Sequence, residues 1–245
     1  MYQTLKLGIV VPAYNEEKLI ADTLKGIPLE ADRIYVVDDA STDDTRDIAE
    51  NFPDRRICIL GNGHNQGVGA AIVTGYKKAL EENMDVVVVM AGDNQMSAKY
   101  LPDLLGPLIS GKADYSKGNR LTCSANRKGM SSWRQFGNFI LSILTKIASG
   151  YWGVGDPQNG YTAITRAALK SVGLDEIYTR YGYCNDLLVR LNVAGARVVD
   201  VPMPARYANE KSKIRYPKYI VNVSYLLLRT FLWRIKNKYI NRPAY

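Results

Sequence analysis

The residues best suited to chemistry in this chain are carboxylate and amide side chains that directly follow apolar stretches. Three such places occur: Glu16 after Leu5 to Val11, Asp38 and Asp39 after Ile34 to Val37, and Asp93 and Gln95 after Val86 to Val89. The oxygen atoms of these side chains suit Mg²⁺ or Mn²⁺, which commonly accompany a bound diphosphate. The pattern favours a site for a phosphorylated ligand and its cation, with an ordinary surface turn at Gly92 and Asp93 as the alternative.

The apolar stretches are predicted to be strands of one sheet. Four consecutive valines suit a strand that is buried on both faces, as in a parallel sheet. Strands alternate with helical patterns through residue 119, which predicts βαβ units, and 245 residues with 47% hydrophobic content can fold as one α/β domain. Ligands of open α/β sheets bind beyond the carboxyl ends of the strands. Asp43 and Asp44 lie further from a strand and are interpreted as capping acids of the next helix.

The sequence offers little support for other kinds of site. Cys58, Cys123 and Cys184 are far apart and lack the paired spacing of zinc sites or disulfide frameworks, so they are predicted to be reduced. His64 is the one histidine, which argues against a Ser-His-Asp triad or a histidine-rich metal site. No G-x-x-x-x-G-K-[ST] phosphate loop occurs.

Two glycine-rich segments superficially resemble a dinucleotide-binding fingerprint. Neither Gly61 to Gly63 nor Gly67 to Gly69 completes the G-x-G-x-x-G spacing, and both follow a later strand instead of the first one. A Rossmann dehydrogenase is therefore disfavoured. The glycines are interpreted as allowing a helix from Val68 to Leu80 to start close to the sheet and to a bound nucleotide.

Six segments, taken in order, resemble the signature motifs of the family 2 inverting glycosyltransferases, which have the GT-A fold. Three of them look like the general motifs of that family: Val11 to Glu17, Val37 to Thr45 and Asn65 to Ala71. Three more are similar to later motifs of its polyprenyl-phosphate branch, typified by dolichyl-phosphate mannose synthase: Lys117 to Arg120, Asp156 to Tyr161 and Arg206 to Lys213. The resemblance covers nearly the whole chain.

The resemblance implies an α/β fold in which a Rossmann-like, mostly parallel central sheet is flanked by helices. The GT-A domain would span residues 1–205. Within it, residues 1–119 would form the half that binds the nucleotide sugar, and residues 120–205 the acceptor half. Residues 206–245 would form a basic, amphipathic helical tail.

The resemblance also implies roles for individual residues. The nucleotide would be bound by Pro12, Tyr14, Glu16, Asp38 and Asp39. Asp93 would hold Mg²⁺ or Mn²⁺ on the diphosphate, and Gln95 would face the donor sugar. Donor or acceptor phosphates would meet Arg120, Arg206 and Lys213, because the guanidinium fork suits phosphate oxygens. Asp186 lies near the usual position of the general base, so the predicted catalytic set is Asp93, Gln95, Arg120 and Asp186.

The chain departs from the family pattern at two positions. Many members carry an Asp-x-Asp pair where this chain has Ala91 and Asp93, so the first carboxylate is absent and strict metal dependence is in doubt. The branch often has a second acid at the place of Cys184. A phosphate acceptor is already anionic near neutral pH, since its second pKa is about 6, so it needs little help from a general base.

Positive charge is concentrated in the last forty residues. Residues 206–245 contain ten Lys or Arg and one acid, Glu210, so this segment has a net charge of +9. Because the whole chain has a net charge of +8, residues 1–205 have a net charge near −1. Aromatic and aliphatic residues are interleaved with these cations, which favours a membrane surface rich in anionic lipid; a helix packed on the domain is the alternative. A nucleic-acid partner is disfavoured, because the cations of this segment are interleaved with a long apolar face. Such a face would promote aggregation if the segment were a solvent-exposed surface for binding a phosphate backbone.

A second apolar stripe runs from Trp133 to Tyr151 at helical spacing. Such a stripe is most typical of a helix packed in a core. By the resemblance, the alternative is a helix near the acceptor site at the membrane.

These observations predict an inverting glycosyltransferase that moves a hexose from a GDP- or UDP-linked sugar to a dolichyl or undecaprenyl phosphate. Two alternatives stay open: the same donor with a saccharide hydroxyl acceptor, and a non-catalytic nucleotide-sugar or lipid-binding module. Met1 to Leu7 lacks the basic lead of a signal peptide. A cytoplasmic protein, peripheral on the cytosolic face of a membrane, is therefore predicted.

Overall fold

A seven-stranded sheet forms the centre of the computed structural model, which describes residues 5–122, 132–204 and 216–241. The side chains of residues 132–136, 138, 216–218 and 220 are not part of this description. The strands are β1 (Leu7–Ala13), β2 (Arg33–Asp38), β3 (Ile57–Gly61), β4 (Val86–Val89), β5 (Tyr115–Asn119), β6 (Thr162–Thr165) and β7 (Val198–Pro202). Their order across the sheet is β3-β2-β1-β4-β6-β5-β7.

In the part of the chain that the structure describes, eight α-helices connect or follow these strands. They are α1 (Ile20–Lys25), α2 (Thr45–Glu50), α3 (Val68–Glu81), α4 (Leu101–Ile109), α5 (Ser132–Ser149), α6 (Arg166–Ser171), α7 (Tyr183–Val193) and α8 (Tyr216–Ile235). One turn of 3₁₀ helix precedes α4 (Ala98–Tyr100), another precedes α7 (Leu174–Glu176), and α8 continues into a short π-helical segment, Lys236–Ile240.

The four valines of β4 pack against helices on both faces of the sheet. Val86 and Val88 pack in one hydrophobic cluster with side chains of α1, α2 and α4, and Val87 and Val89 pack in another with side chains of α3, α6 and α7. Because successive side chains of a strand point to opposite faces, only an uninterrupted apolar run can fill both layers. The prediction of a strand buried on both faces is confirmed, and all four valines are at most 3% exposed.

The sheet is parallel except for one reversed strand. β1, β2, β3 and β4 pair in parallel, as do β5 and β7, whereas β6 runs antiparallel to both β4 and β5. The beginning of β6 therefore lies at the edge where the other strands end, as the pairing of Val89 with Thr162 shows. The predicted mostly parallel α/β sheet is confirmed.

Helix α5, which contains most of the apolar stripe from Trp133 to Tyr151, turns the described apolar side chains of that stripe mostly to the surface instead of the core. Its buried side chains are small or polar, namely Ser142, Thr145, Ala148 and Ser149. Its apolar side chains Phe139, Ile140, Ile143, Leu144 and Ile147 are between 37% and 59% exposed. The prediction that this stripe packs in the core is wrong for these residues.

Helix α8 packs against α5 and α7, with Val223 and Leu227 meeting Ala148 and Val189 in a small apolar cluster. Its outward side chains are again apolar: Val221, Tyr225, Leu228 and Leu232 are 58% to 68% exposed. We call the exposed apolar residues of the two helices the paired-helix face: Phe139, Ile140, Ile143, Leu144, Ile147, Val221, Tyr225, Leu228 and Leu232. Among the described helices, none is long and apolar enough to cross a bilayer.

Candidate functional site

The predicted chemical residues converge on one edge of the sheet. The loops after β1, β2 and β4 meet there because these three strands are adjacent and parallel. The reversed strand β6 brings the segment before it, Asp156 to Tyr161, to the same edge, and β5 delivers Arg120. Among the described residues, two adjoining cavities at this edge meet at Asp93, and a third, lined by Gln95, Tyr161 and Met203 among others, lies next to them.

The first cavity, of about 370 Å³, holds most of the residues predicted to bind a nucleotide. Pro12, Tyr14, Glu16 and Asp39 line it together with Asp93. Further described lining residues are Ala13, Asn65, Gly67, Val68, Ala71, Ala91, Gly92, Arg180 and Tyr181. Residues from five separate segments thus surround one space, and three of these segments supply an acidic side chain.

The second cavity, of about 230 Å³, adjoins the first and shares Pro12, Val68, Ala91, Asp93 and Tyr181 with it. Its described walls also include Gln95, Arg120, Gln158, Asn159, Tyr161, Cys184 and Met203. Asp93 lies at the boundary between the cavities. A group bound in one cavity can therefore react with a group bound in the other beside this carboxylate.

The two adjacent carboxylates at the end of β2 have different contacts. Asp39 is 2% exposed and accepts hydrogen bonds from Asn62 Nδ2 (2.7 Å), Gln66 N (3.0 Å) and Gly67 N (2.7 Å), while still lining the first cavity. Asp38 accepts from Ser41 N (3.2 Å) and is not among the described lining residues of either cavity. Asp39 therefore fixes the segment before α3, whereas Asp38 fixes its own loop.

The loops are tied together and hold unusual backbone conformations. Asn15, Ala40 and Asn94 have positive φ angles of 54°, 60° and 54° in the loops after β1, β2 and β4. Ala40 is the costliest, because a Cβ disfavours the left-handed region and asparagine tolerates it better. Asn15 N donates to Ser41 Oγ (3.0 Å), and Thr42 N donates back to Asn15 Oδ1 (2.8 Å). Strain held by such cross-links is typical of functional loops.

Asp93 and Gln95 carry oxygen atoms of the kind that a divalent cation takes as ligands. Gln95 N donates to Asp93 Oδ1 (3.1 Å), which orients the carboxylate at the boundary of the cavities. Within the described residues, no three His, Cys, Asp or Glu side chains lie close enough to hold a metal ion together. One carboxylate and one amide oxygen fit Mg²⁺ or Mn²⁺ when the cation takes its other ligands from a diphosphate and water.

Arg120 forms a buried ion pair that the sequence did not reveal. Its Nε and Nη2 donate to Asp156 Oδ2 (2.7 Å) and Oδ1 (3.1 Å), and Asp156 is fully buried. Burial alone would raise the pKa of Asp156, but the Arg120 guanidinium outweighs it and holds that pKa below its usual value. Lys117, also fully buried, donates to the Asp156 carbonyl, and burial lowers its pKa. Arg120 is the one cation among the described residues that line the second cavity, and its guanidinium is paired with Asp156.

Asp186, the predicted general base, is not among the described residues that line either cavity. It is 1% exposed, and its Oδ2 accepts from Tyr178 N (2.8 Å) and from Arg190 Nε (3.2 Å). Arg190 also donates to the Glu176 carbonyl (2.7 Å). In this structure Asp186 therefore holds the segment before α7. Arg206 and Lys213 lie outside the described residues.

That segment packs directly on the start of α3. A Cβ added at Gly69 would lie 2.3 Å from the Tyr178 carbonyl oxygen, and one at Gly67 would lie 2.7 Å from the Thr179 oxygen. Ala70 N donates to the same Thr179 oxygen (3.0 Å). The sequence interpretation is therefore corrected: these glycines make room for the segment before α7, not for the sheet. The predicted helix from Val68 is confirmed and ends at Glu81.

The second cavity is linked to α8 through a chain of hydrogen bonds. Tyr219 Oη of α8 donates to Gln158 Oε1 (3.1 Å), and Gln158 Nε2 donates to Asn185 Oδ1 (3.0 Å). Cys184, beside Asn185, lines the cavity, and burial raises the pKa of its thiol. Cys184, where the family resemblance predicts an acid, is therefore neutral here, and the cavity lies beside the first turn of α8.

Comparisons with known proteins agree with this architecture. Residues 8–173 match the family described as Glycosyl transferase family 2. Undecaprenyl-phosphate mannosyltransferase of Micrococcus luteus is 31% identical over 81% of this chain and 83% of its own length. UDP-N-acetylglucosamine–dolichyl-phosphate N-acetylglucosaminyltransferase of Methanococcus voltae is 29% identical over 81% and 85%.

A solved structure shares the fold. Glucosyl-3-phosphoglycerate synthase from Mycobacterium tuberculosis, in complex with Mn²⁺, UDP and phosphoglyceric acid, superposes with a TM-score of 0.68 at 20% identity, covering 94% of this chain and 78% of that one. The ordered motifs, the sheet and the family match lead to one conclusion. The chain is a glycosyltransferase that belongs to glycosyl transferase family 2.

Proposed function

We propose that this enzyme transfers a hexose from a nucleotide sugar to a polyprenyl phosphate at a membrane surface, with inversion at the anomeric carbon. The proposal rests on one observation: the two cavities, α8 and the paired-helix face adjoin one another in this order. The first cavity opens beside Asp93 into the second, the second is hydrogen-bonded to α8, and α8 carries half of the paired-helix face. A water-soluble donor and a lipid acceptor can thus meet between the two cavities.

The first cavity is the proposed donor site. Pro12, Tyr14, Glu16 and Asp39 would surround the nucleotide of a UDP- or GDP-linked hexose, and Asp38 would support the Asp39 loop. The relative from Methanococcus voltae uses a UDP-linked sugar according to its name. Asp93 and Gln95 would hold Mg²⁺ or Mn²⁺. The bound cation would stabilise the charge that grows on the departing diphosphate.

The second cavity is the proposed acceptor site. A phosphate there would face Arg120 and a neutral Cys184 instead of an acid. Arg206 and Lys213 are proposed as further phosphate-binding residues. Relatives named for dolichyl and undecaprenyl phosphate support this acceptor class. A lipid phosphate arrives as an anion, so it needs no nearby general base, which agrees with the buried position of Asp186.

The paired-helix face is the proposed contact with the membrane. Neither α5 nor α8 contains an acidic residue, whereas Lys146 and Arg229 lie on these helices and Lys236 and Lys238 follow them. Apolar side chains flanked by cations suit the boundary of an anionic bilayer, where both kinds of group contribute to binding. A peripheral location on the cytosolic face of a membrane follows from this proposal.

The test is a direct comparison of acceptors. Labelled UDP- and GDP-hexoses are incubated with the enzyme and Mn²⁺, and with polyprenyl phosphate vesicles, polyprenol vesicles or soluble saccharides. We expect label only in the lipid fraction with the phosphate acceptor. Transfer to saccharides alone would favour the hydroxyl-acceptor alternative, and nucleotide binding without any transfer would favour a non-catalytic module.

A further inference from the structure

Arg180 occupies a position in the first cavity that no motif of the sequence indicated. It lies in the segment between the 3₁₀ turn Leu174–Glu176 and α7, and its side chain reaches the space lined by Asp39 and Asp93. The Arg180 Cγ atom lies 2.9 Å from the point where a Cβ of Gly67 would be. The aliphatic stem therefore lies flat against Gly67, at the entrance to the cavity.

The backbone around Arg180 is fixed on both sides. The preceding carbonyl, of Thr179, accepts from Ala70 N (3.0 Å), and the Arg180 carbonyl accepts from Tyr183 N (3.1 Å). Asp186 and Arg190 hold the segment from beneath through Tyr178 N and the Glu176 carbonyl. The side chain is exposed, but it projects from a rigid support, and this reduces the entropy cost of binding a ligand.

The guanidinium of Arg180 has no hydrogen-bond or ion-pair partner in the described part of the chain. It is also the one cation among the described residues that line the first cavity, where Glu16, Asp39 and Asp93 supply negative charge. A nucleoside diphosphate entering this cavity would otherwise meet three carboxylates. Because Ala91 provides no second carboxylate beside Asp93, the protein contributes few ligands to a cation there.

We propose that Arg180 binds the diphosphate of the nucleotide-sugar donor and takes over part of the charge neutralisation that a two-carboxylate metal site would otherwise provide. The inference rests on the proposed function. A guanidinium with no partner among the described residues, carried on a fixed backbone, offers the planar fork that matches phosphate oxygens. Arg180 is thus a donor-binding residue contributed by the acceptor half of the chain.

The test compares Arg180→Met with wild type in direct binding of UDP, GDP, UMP and GMP, both in EDTA and with Mn²⁺. Methionine keeps an apolar stem against Gly67 and removes the charge. We expect diphosphate affinity to fall roughly 10- to 100-fold in EDTA, with a smaller loss for the monophosphates. Arg180→Lys should recover part of the loss. Arg55→Gln, which removes an exposed arginine elsewhere, is the matched control and should change nothing.

Two other outcomes separate the two proposals. If wild type binds neither UDP nor GDP under any of these conditions, the proposed function fails. If wild type binds a diphosphate and folded Arg180→Met or Arg180→Lys binds it equally well, the proposed function stands and the role of Arg180 is refuted. An equal loss for mono- and diphosphates would also overturn it, because it would indicate a general distortion of the cavity.

Discussion

Helices α3 and α5 present opposite faces to the rest of the protein. Helix α3 buries Ile72 and Tyr76 against the sheet and turns Lys77 and Glu81 to solvent. Helix α5 buries Ser142 and Thr145 and exposes its apolar side. A helix that keeps its polar side inward gains little from packing in water, since burial of apolar area is what stabilises such contacts. The difference indicates that α5 has a second apolar environment, which we propose is the membrane.

The contrast divides the molecule into two parts: the part around the first cavity, whose surface suits water, and the part around α5 and α8, whose surface suits an apolar environment. Around the first cavity, loops are cross-linked by hydrogen bonds and the adjoining helices bury their apolar sides. Around α5 and α8, the side chains that ordinarily form a core are on the surface. The predictions below test whether these two halves perform separable tasks.

The largest effect is expected at the boundary between the cavities. Asp93→Asn removes the charge that would hold the cation while preserving size, so transfer should fall on the order of 10³-fold, or about 4 kcal/mol in the transition state. Vesicle binding and thermal stability should not change. Steady-state transfer assays and flotation measure the two, and Asp22→Asn on the exposed part of α1 is the control. Wild-type activity in Asp93→Asn would remove Asp93 from the mechanism.

The Arg120–Asp156 pair should also contribute to the stability of the fold. Arg120→Gln leaves a fully buried carboxylate without its ion-pair partner, which should cost about 3 kcal/mol of unfolding free energy at neutral pH. Arg197→Gln is the control, because its pair with Asp114 is exposed and should be worth well under 1 kcal/mol. Urea unfolding of both variants measures the difference.

The pH dependence of that variant has a defined sign. In wild type the pKa of Asp156 lies below the ordinary 3.8, so the pair stabilises the fold fully above pH 3.8 and its contribution is lost as pH falls through the lower folded pKa. The deficit of Arg120→Gln should therefore be largest near neutral pH and shrink below about pH 4. A deficit that grows on acidification would contradict the assigned pair.

The apolar side of α5 should control membrane binding without affecting the donor site. Replacing Ile143 and Leu144 together by Gln should weaken binding to anionic vesicles by about 2 kcal/mol, roughly 30-fold, because both side chains would leave the apolar layer. Nucleotide affinity should not change. Leu29→Gln, an exposed leucine on the other half of the molecule, is the control. Unchanged flotation of the double variant would refute the assignment of the paired-helix face as the membrane contact.

The smallest effect is expected from one charge beside that face. Lys236→Gln should weaken binding to anionic vesicles by about 1 kcal/mol at low salt and by less at high salt. Lys25→Gln on α1 should have no effect. Flotation at several salt concentrations measures both variants. An equal effect of the two would mean that net charge alone, and not its position, attracts the protein to the vesicle.

The convergence of the carboxylate-bearing loops on one edge of the sheet could be predicted from the sequence. The valines of β4 and the carboxylates after β1, β2 and β4 could be assigned because strand burial and parallel order are local consequences of composition. The orientation of α5 could not be predicted, since periodicity identifies an apolar side but not what covers it. The Arg120–Asp156 pair and the position of Arg180 depend on contacts between distant segments. The buried contacts of Asp186 have the same origin, because Tyr178 and Arg190 complete them only after folding.

The most direct test compares two acceptors with the same headgroup. Wild type and the Ile143→Gln, Leu144→Gln variant are assayed with long polyprenyl phosphate in anionic vesicles and with a short, water-soluble isoprenyl phosphate. If the molecule joins a water-facing donor site to a membrane-facing acceptor site, the variant should lose roughly 30-fold on vesicles at limiting lipid, matching its lost binding, and keep wild-type transfer to the short acceptor. Equal activity of the two proteins on both acceptors, or equal loss on both, would contradict this account.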